Sequence, residues 1–390
     1  MSKKVGIEVS IAAAEAVGLA RADVIAAYPI TPQTHIVEHL AELVATGKLD
    51  AEYVAVESEH SAISASMGAS AAGARSFTAT ASQGLALMHE ILFAASSMRL
   101  PIVMAVANRA ISAPINIWAD HSDIMPQRDT GWVQLFAENG QEVVDLIFQA
   151  FKLAEDHSVL LPVMVNMDGF TLSHVIEPVS LLDPKEVDSF LPELKPFRML
   201  DPEIPRTMGP FGAQDVYTEI KQQQESALIN AESVMQEIWV EYADMFGRTY
   251  HSVETYKTKD ADIILVTMGA VGETARSAVD EMREQGILAG LASVRMWRPF
   301  PAKKIIKALK NVKKIVVMDR TLCFGSQGGP LANEIRTAFY NQKDAPKVIN
   351  YVAGLGGREI SRATFKEMVA KASCTDVQSN NYELLDVRNS

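Results

Sequence analysis

Four polar steps follow directly on apolar runs in the first third of the sequence. Thr31 follows V-I-A-A-Y-P-I (24–30), Ser58 and Glu59 follow Y-V-A-V-E (53–57), Ser82 and Gln83 follow S-F-T-A-T-A (76–81), and Arg109 follows P-I-V-M-A-V-A-N (101–108). Together they offer one carboxylate, one guanidinium and several hydroxyl and amide groups. A guanidinium beside the free N–H groups of a helix N-terminus is a good receptor for a small carboxylate, because its fork binds both oxygens while the amides point outward. A carboxylate in the same crevice can serve as a positioned acid–base group. Each residue also has an ordinary role. Thr31 and Pro32 suit the N-cap and first position of a helix continuing H-I-V-E-H-L, Glu59 suits a first helical turn, and Arg109 suits a surface loop.

The elements that must position these residues are readable from the pattern. The four apolar runs are expected as buried strands. Between them S-E-H-S-A-I-S-A-S-M-G-A-S-A-A-G-A (58–74) and Q-G-L-A-L-M-H-E-I-L-F-A-A-S-S-M (83–98) read as helices, the first so poor in bulky side chains that a planar ligand or another subunit can approach its backbone. Strand–helix alternation predicts a parallel sheet covered on both faces, and ligands bind such sheets at the carboxyl ends of the strands. A helix at 141–155 and a strand at 159–167 continue the pattern. A Pro-rich arm at about 177–215 and a charged helix at 220–246 then lead to a second α/β block. Its strands are expected at 261–269, 288–296, 313–320 and 346–355, giving domains 1–255 and 256–390.

Composition narrows the function. The 390 residues are 48% hydrophobic and 22% charged, with a net charge of −12 and no clustered Lys/Arg face, which argues against a nucleic-acid partner. The first residues, M-S-K-K-V-G-I-E-V-S, lack a following apolar core, and no apolar run is long enough to span a membrane, so a cytoplasmic protein is expected. Cys323 and Cys374 stand alone without a CxxC spacing, which supports neither a disulfide framework nor a zinc or iron–sulfur site in this chain.

The order and spacing of Y-P-I-T-P-Q, S-E, T-A-S-Q-G-L, A-N-R-A-I-S-A-P-I-N-I-W and H-S-D-I-M-P-Q-R-D-T-G-W, with the later D-R and G-L-G-G-R-E, resemble the alpha subunit of pyruvate:ferredoxin oxidoreductase and its 2-oxoacid relatives over nearly the whole chain. The resemblance implies a pyrimidine-binding, thiamine-diphosphate-type parallel-sheet domain followed by a smaller transketolase C-terminal-like α/β domain. It implies that Glu59 hydrogen-bonds the cofactor's aminopyrimidine ring, that Ser82 and Gln83 also bind the cofactor, and that Thr31 and Arg109 contact the substrate carboxylate. It further implies that pyruvate is oxidised to acetyl-CoA and CO2, with coenzyme A as co-substrate and ferredoxin as electron acceptor.

What is missing fits a shared active site. The family's diphosphate-and-magnesium motif, G-D-G followed by a later Asn, is absent; N-M-D-G (166–169) is the nearest segment. The resemblance therefore places magnesium and [4Fe–4S] clusters on partners, namely beta, gamma and ferredoxin-like delta subunits. A branched-chain 2-oxoacid enzyme, a transketolase-type enzyme and a non-catalytic scaffold remain as alternatives. The Gly-rich stretches F-G-S-Q-G-G-P (324–330) and G-L-G-G-R (354–358) are expected as tight turns, and His60 and His121 as packing or loop hydrogen-bonding residues.

Overall fold

The computed structural model describes residues 3–374 and 382–388. The chain opens with β1 (Lys3–Glu8) and α1 (Val9–Leu19). It alternates through β2 (Val24–Ala27), α2 (Thr34–Ala45), β3 (Glu52–Ala55), α3 (Glu59–Ala71), β4 (Ser76–Thr80), α4 (Ser82–Leu87), α5 (His89–Ser97) and β5 (Ile102–Asn108). β6 (Val133–Phe136), α6 (Gly140–Glu155) and β7 (Val163–Asp168) complete the first unit, and β8 (Ile176–Leu181), α7 (Pro184–Phe190) and α8 (Tyr217–Phe246) follow. The second unit contains β9 (Val253–Tyr256), β10 (Ile263–Thr267), α9 (Val271–Glu284), β11 (Ala289–Val294), β12 (Met296–Arg298), α10 (Ala302–Leu309), β13 (Lys314–Asp319), α11 (Pro330–Phe339), β14 (Lys347–Val352), α12 (Arg362–Cys374) and β15 (Glu383–Leu384).

The first sheet has the order β12-β6-β7-β5-β4-β2-β3 and is parallel except at β12. β4, β5 and β7 are buried at every position, which is why their sequences read as near-continuous apolar or small-residue runs, with Asn108, Asn166 and Asp168 toward their carboxyl ends, rather than alternating ones. The second sheet, β15-β14-β13-β10-β11-β9, is parallel except at β9. The boundary expected at 255–256 falls inside β9, whose pairing with β11 carries residues from Val253 on into the second sheet.

Two packing layers hold the site's scaffold. On one face of the first sheet, α1, α6 and α8 bury Val17, Phe148, Phe151, Trp239 and Tyr242. Each such large apolar side chain contributes roughly 2–3 kcal/mol of transfer free energy. On the other face Met104, Val106, Trp132 and Phe136 share one core with Ile264, Val266, Trp297 and Ile315 of the second unit. β12 adds a second tie, because Met296 pairs with Leu135 and Arg298 with Gln134 across the unit boundary.

Three local expectations are corrected. Thr31 is not a helix cap and Pro32 is not a first helical residue: α2 begins at Thr34 after a turn at 31–33, with Gln33 in the cap position and no side-chain cap bond. The helix expected over 83–98 is two, α4 and α5, separated at Met88. β1 and α1 were not anticipated. α1 is Ala-rich and almost uniformly buried, so it lacks the one-sided pattern that marks a surface helix.

Candidate active site

The carboxyl end of β5 hands directly to Arg109, which is 7% exposed. Its Nε donates to the Asn116 carbonyl at 2.8 Å and its Nη1 to the Thr31 carbonyl at 2.9 Å. Nη2 is left without a partner among the described residues, so one edge of the fork remains for a ligand. Burial holds the guanidinium below its ordinary pKa, with the Asp123 charge acting against that shift. Thr31 is exposed, and its hydroxyl makes no hydrogen bond among the described residues. The 31–33 turn is itself pinned between the ends of β2 and β4, where Gln33 Nε2 donates to Tyr28 O at 2.8 Å and Ala79 O at 3.2 Å.

Asp123 ties the β4 and β5 ends together. Fully buried, it accepts the Ser82 amide at 3.0 Å, the Arg109 amide at 2.9 Å and the Asn108 Nδ2 at 3.1 Å. Burial pushes its pKa up to about 7 despite these donors. Ser82 Oγ lies 2.6 Å from both the Ala110 carbonyl and Gln83 Oε1, and its single proton is shared between these two acceptors. With its amide on Asp123 as well, Ser82 shapes the turn and keeps only hydroxyl lone pairs for a ligand. Gln83 differs, because its Nε2 is a buried donor with no partner among the described residues.

Glu59 is the first residue of α3, behind Ser58, whose hydroxyl accepts the Ser61 amide at 3.2 Å as a helix cap. It is 6% exposed, yet its carboxylate has no hydrogen-bond partner among the described residues. Gly84 in α4 explains how the carboxylate fits. A Cβ there would lie 2.6 Å from Glu59 Oε1 and 2.5 Å from Thr80 Oγ1, and Thr80 Oγ1 is itself buried and unpaired. Only glycine leaves room for a free carboxylate at this spot. Thr31, Arg109, Ser82, Gln83 and Glu59 thus lie along one crest at the carboxyl ends of β2, β3, β4 and β5.

The second unit roofs this crest. Asn116, which fixes Arg109, donates through Nδ2 to Gly356 O at 3.0 Å, and Asp120 accepts the Gly356 amide at 3.0 Å. Gly357, at φ +77, packs so close to Trp118 that a Cβ would come within 2.2 Å of its Cβ, so the 354–358 turn is a close-packed lid over the 110–120 loop. Below it, Asp168 is ion-paired with Arg320, lies 3.2 Å from His121 Nε2 and accepts the Ala270 amide at 2.7 Å. Burial raises the Asp168 pKa, but Arg320 and His121 overcome that effect and hold it well below the usual carboxylate range. His121 is therefore a buried structural residue, and His60 is exposed on the first turn of α3. The other Gly-rich turn leads into α11, whose first amides are occupied by the chain's own Asp319: Leu331 N at 2.8 Å and Ala332 N at 3.2 Å.

Sequence reasoning missed Asp123, Gly84 and Asn116 as determinants of this geometry. Asp123 and Asn116 sit inside quoted motifs, but nothing local signals that one buried carboxylate would orient two strand ends. Gly84 follows the T-A-S-Q step and was visible only as part of a helix.

A two-unit α/β chain that gathers an unpaired carboxylate, a half-used guanidinium and a buried amide donor at parallel strand ends has the architecture of thiamine-type enzymes. Solved structures agree on the fold. A 2-oxoglutarate:ferredoxin oxidoreductase from Magnetococcus marinus superposes with a TM-score of 0.75 at 18% identity, covering 95% of this chain and 65% of that one. A split-gene transketolase superposes at 0.55 and 12% identity, covering 94% and 98%. The chain belongs to the pyruvate flavodoxin/ferredoxin oxidoreductase family. Residues 15–239 match the family's thiamine-diphosphate-binding domain and residues 261–365 match core domain II of pyruvate:ferredoxin oxidoreductase. Pyruvate synthase subunit PorA of Methanocaldococcus jannaschii is 51% identical over 92% of both chains, and that of Methanothermobacter thermautotrophicus 48% over 94% of both. Ketoisovalerate oxidoreductase subunit VorA of Pyrococcus abyssi is 45% identical over 91% of this chain and 90% of its own length.

The residues present fit the pyrimidine side of thiamine diphosphate. Among the described residues Glu59 has no hydrogen-bond partner, Gln83 Nε2 is a buried donor without one, and Gly84 leaves space open beside them.

Proposed function

We propose that this chain is the alpha subunit of a pyruvate:ferredoxin oxidoreductase and supplies half of its active site. One observation carries the reading: Glu59 is buried without a partner against a glycine whose single added methyl would fill the gap. A carboxylate with no protein partner beside such a gap is left free to meet a ligand.

Thiamine diphosphate, when bound, supplies the electron sink that lets a 2-oxoacid lose CO2. Glu59 would hold the proton balance of the cofactor's pyrimidine, Gln83 would donate from Nε2, and Ser82 and Asp123 keep that turn in register with Arg109. Arg109 receives the substrate carboxylate through its free Nη2 edge, and the Thr31 hydroxyl adds a neutral donor beside it. Asn116 and the Thr31 carbonyl hold the guanidinium in place so that little rotamer freedom is lost on binding.

Relatives named as subunits support an enzyme of several chains, and we assign beta, gamma and ferredoxin-like delta partners carrying the diphosphate pocket, magnesium and the [4Fe–4S] clusters, with coenzyme A as co-substrate. Ile115, Ile117 and Trp118 stand exposed on the loop beyond Arg109, an apolar rim that a partner chain would cover. The domain division is taken at the start of β9. A branched-chain substrate is the second reading, favoured by the similarity to the ketoisovalerate subunit. The test is ferredoxin reduction by the enzyme assembled with its partner chains, comparing pyruvate with a branched 2-oxoacid. Higher kcat/KM on pyruvate is expected; higher kcat/KM on the branched acid would transfer the assignment, and activity on neither would refute it.

A further inference from the structure

Away from the crest, Glu8, His35 and His174 come together from three separate segments. Glu8 closes β1, His35 stands in the first turn of α2 and His174 lies in the connection from β7 to β8. One ligating atom from each can be chosen so that all three lie within 4.8 Å of one another, and all three residues are half-buried. His35 Nδ1 is 2.6 Å from Glu8 Oε1, and the His35 and His174 rings are 4.6 Å apart.

We propose that Glu8, His35 and His174 form a binding site for a divalent transition cation of the zinc class. Two imidazoles and one carboxylate, leaving open positions for water, are a donor set that such ions favour. Several features prepare it. Glu8 occupies the cap position of α1 but makes no cap bond, so its carboxylate is turned to the cluster instead. Ser173 Oγ, which accepts the Phe170 amide at 2.9 Å, lies 2.8 Å from His174 Nδ1 and fixes the ring through one nitrogen while the other stays available. An ion would take the place of the His35–Glu8 hydrogen bond. The ion would clasp α2, two residues after the 31–33 turn, to the β1–β8 ribbon.

The proposal concerns this chain alone and does not depend on the oxidoreductase reading. The test uses the full-length chain with Cys323 and Cys374 changed to serine, which removes competing thiols. After chelator treatment it is titrated with Zn2+ by calorimetry and with Co2+ by visible absorption. One ion per chain is expected, with His35→Ala, His174→Ala and Glu8→Gln each weakening uptake by on the order of 100-fold and Ser173→Ala by roughly 10-fold. His39→Ala, one turn further along α2 and engaged with Glu15, should leave uptake unchanged. Circular dichroism of the metal-free variants checks folding. No saturable uptake by the parent chain at millimolar zinc, or uptake that survives both histidine substitutions in folded protein, overturns the site.

Discussion

Arg109 separates recognition from charge. Its Nε and Nη1 are committed to backbone carbonyls, so under the proposed function the substrate contact falls on Nη2. Arg109→Lys keeps the charge but loses both anchors, and a raised KM is expected in steady-state kinetics of the assembled enzyme. Arg109→Ala should lower kcat/KM by roughly 30- to 1000-fold, the equivalent of ~2–4 kcal/mol for a charge-assisted contact in a buried site. Thr31→Val now carries a sharper expectation than its sequence position allowed. Because Thr31 caps no helix, the variant should raise KM while its melting temperature stays put. Asp123 titrates in the neutral range. Its folded pKa, about 7, lies above the unfolded carboxylate value, so its contribution to stability is full below about pH 4 and is lost as pH rises through about 7. Asp123→Asn should flatten that part of the melting-temperature profile relative to the parent; parallel profiles would show that Asp123 does not hold its proton. The strand-end positions of Glu59, Thr31 and Arg109 were legible because each follows an apolar run. Asp123 was not, since its partners at 82 and 109 are brought to it only by the fold.

At the scale of elements, the site depends on how closely α4 approaches α3. Gly84→Ala places a methyl 2.6 Å from Glu59 Oε1 and 2.5 Å from Thr80 Oγ1, and the flexible carboxylate is the group that yields. The expected outcome is a loss of turnover of roughly 10-fold or more, with a stability cost of about 1–3 kcal/mol from overpacking. Kinetics and thermal melts of the same preparation check both. Unchanged turnover would show that Glu59 has more freedom than the packing implies. The sequence announced α3 and α4 through their small residues and strand-following positions, and it announced the buried strands through continuous apolar runs. It did not announce the break at Met88, the turn at 31–33 or α1. Helix propensity is nearly continuous through 83–98, Thr-Pro mimics a helix start, and a mostly buried Ala-rich helix carries no amphipathic signal.

Across the whole molecule, the two units act as one body because they share a core and a buried ion pair. Asp168 at the end of β7 meets Arg320 just after β13, each about 1–3% exposed at the side chain. Since the Asp168 pKa is depressed, its contribution is present above the unfolded carboxylate value and is lost as pH falls into the acid range. Asp168→Asn leaves Arg320 buried without a counter-charge and should cost roughly 3–5 kcal/mol, read by chemical denaturation of the full chain. The loss should be smaller when Arg320→Met accompanies it. The alternation of strands and helices made both sheets legible, but not β12, a three-residue strand that leaves its own unit to edge the first sheet. Nor could the alternation show that the 354–358 turn roofs Arg109's loop, since those segments are far apart in sequence.

The most direct test of the account is 2-oxoacid-dependent ferredoxin reduction by the fully assembled enzyme carrying Glu59→Gln. The substitution keeps the size and burial of the side chain but removes its capacity to hold the proton balance. Turnover should fall by roughly 100-fold or more while the subunits still co-purify and the melting temperature stays within a few degrees. An assembled Glu59→Gln enzyme that turns over at near-normal rate would contradict the central claim that this buried, unpaired carboxylate is the chain's acid–base contribution to a shared active site.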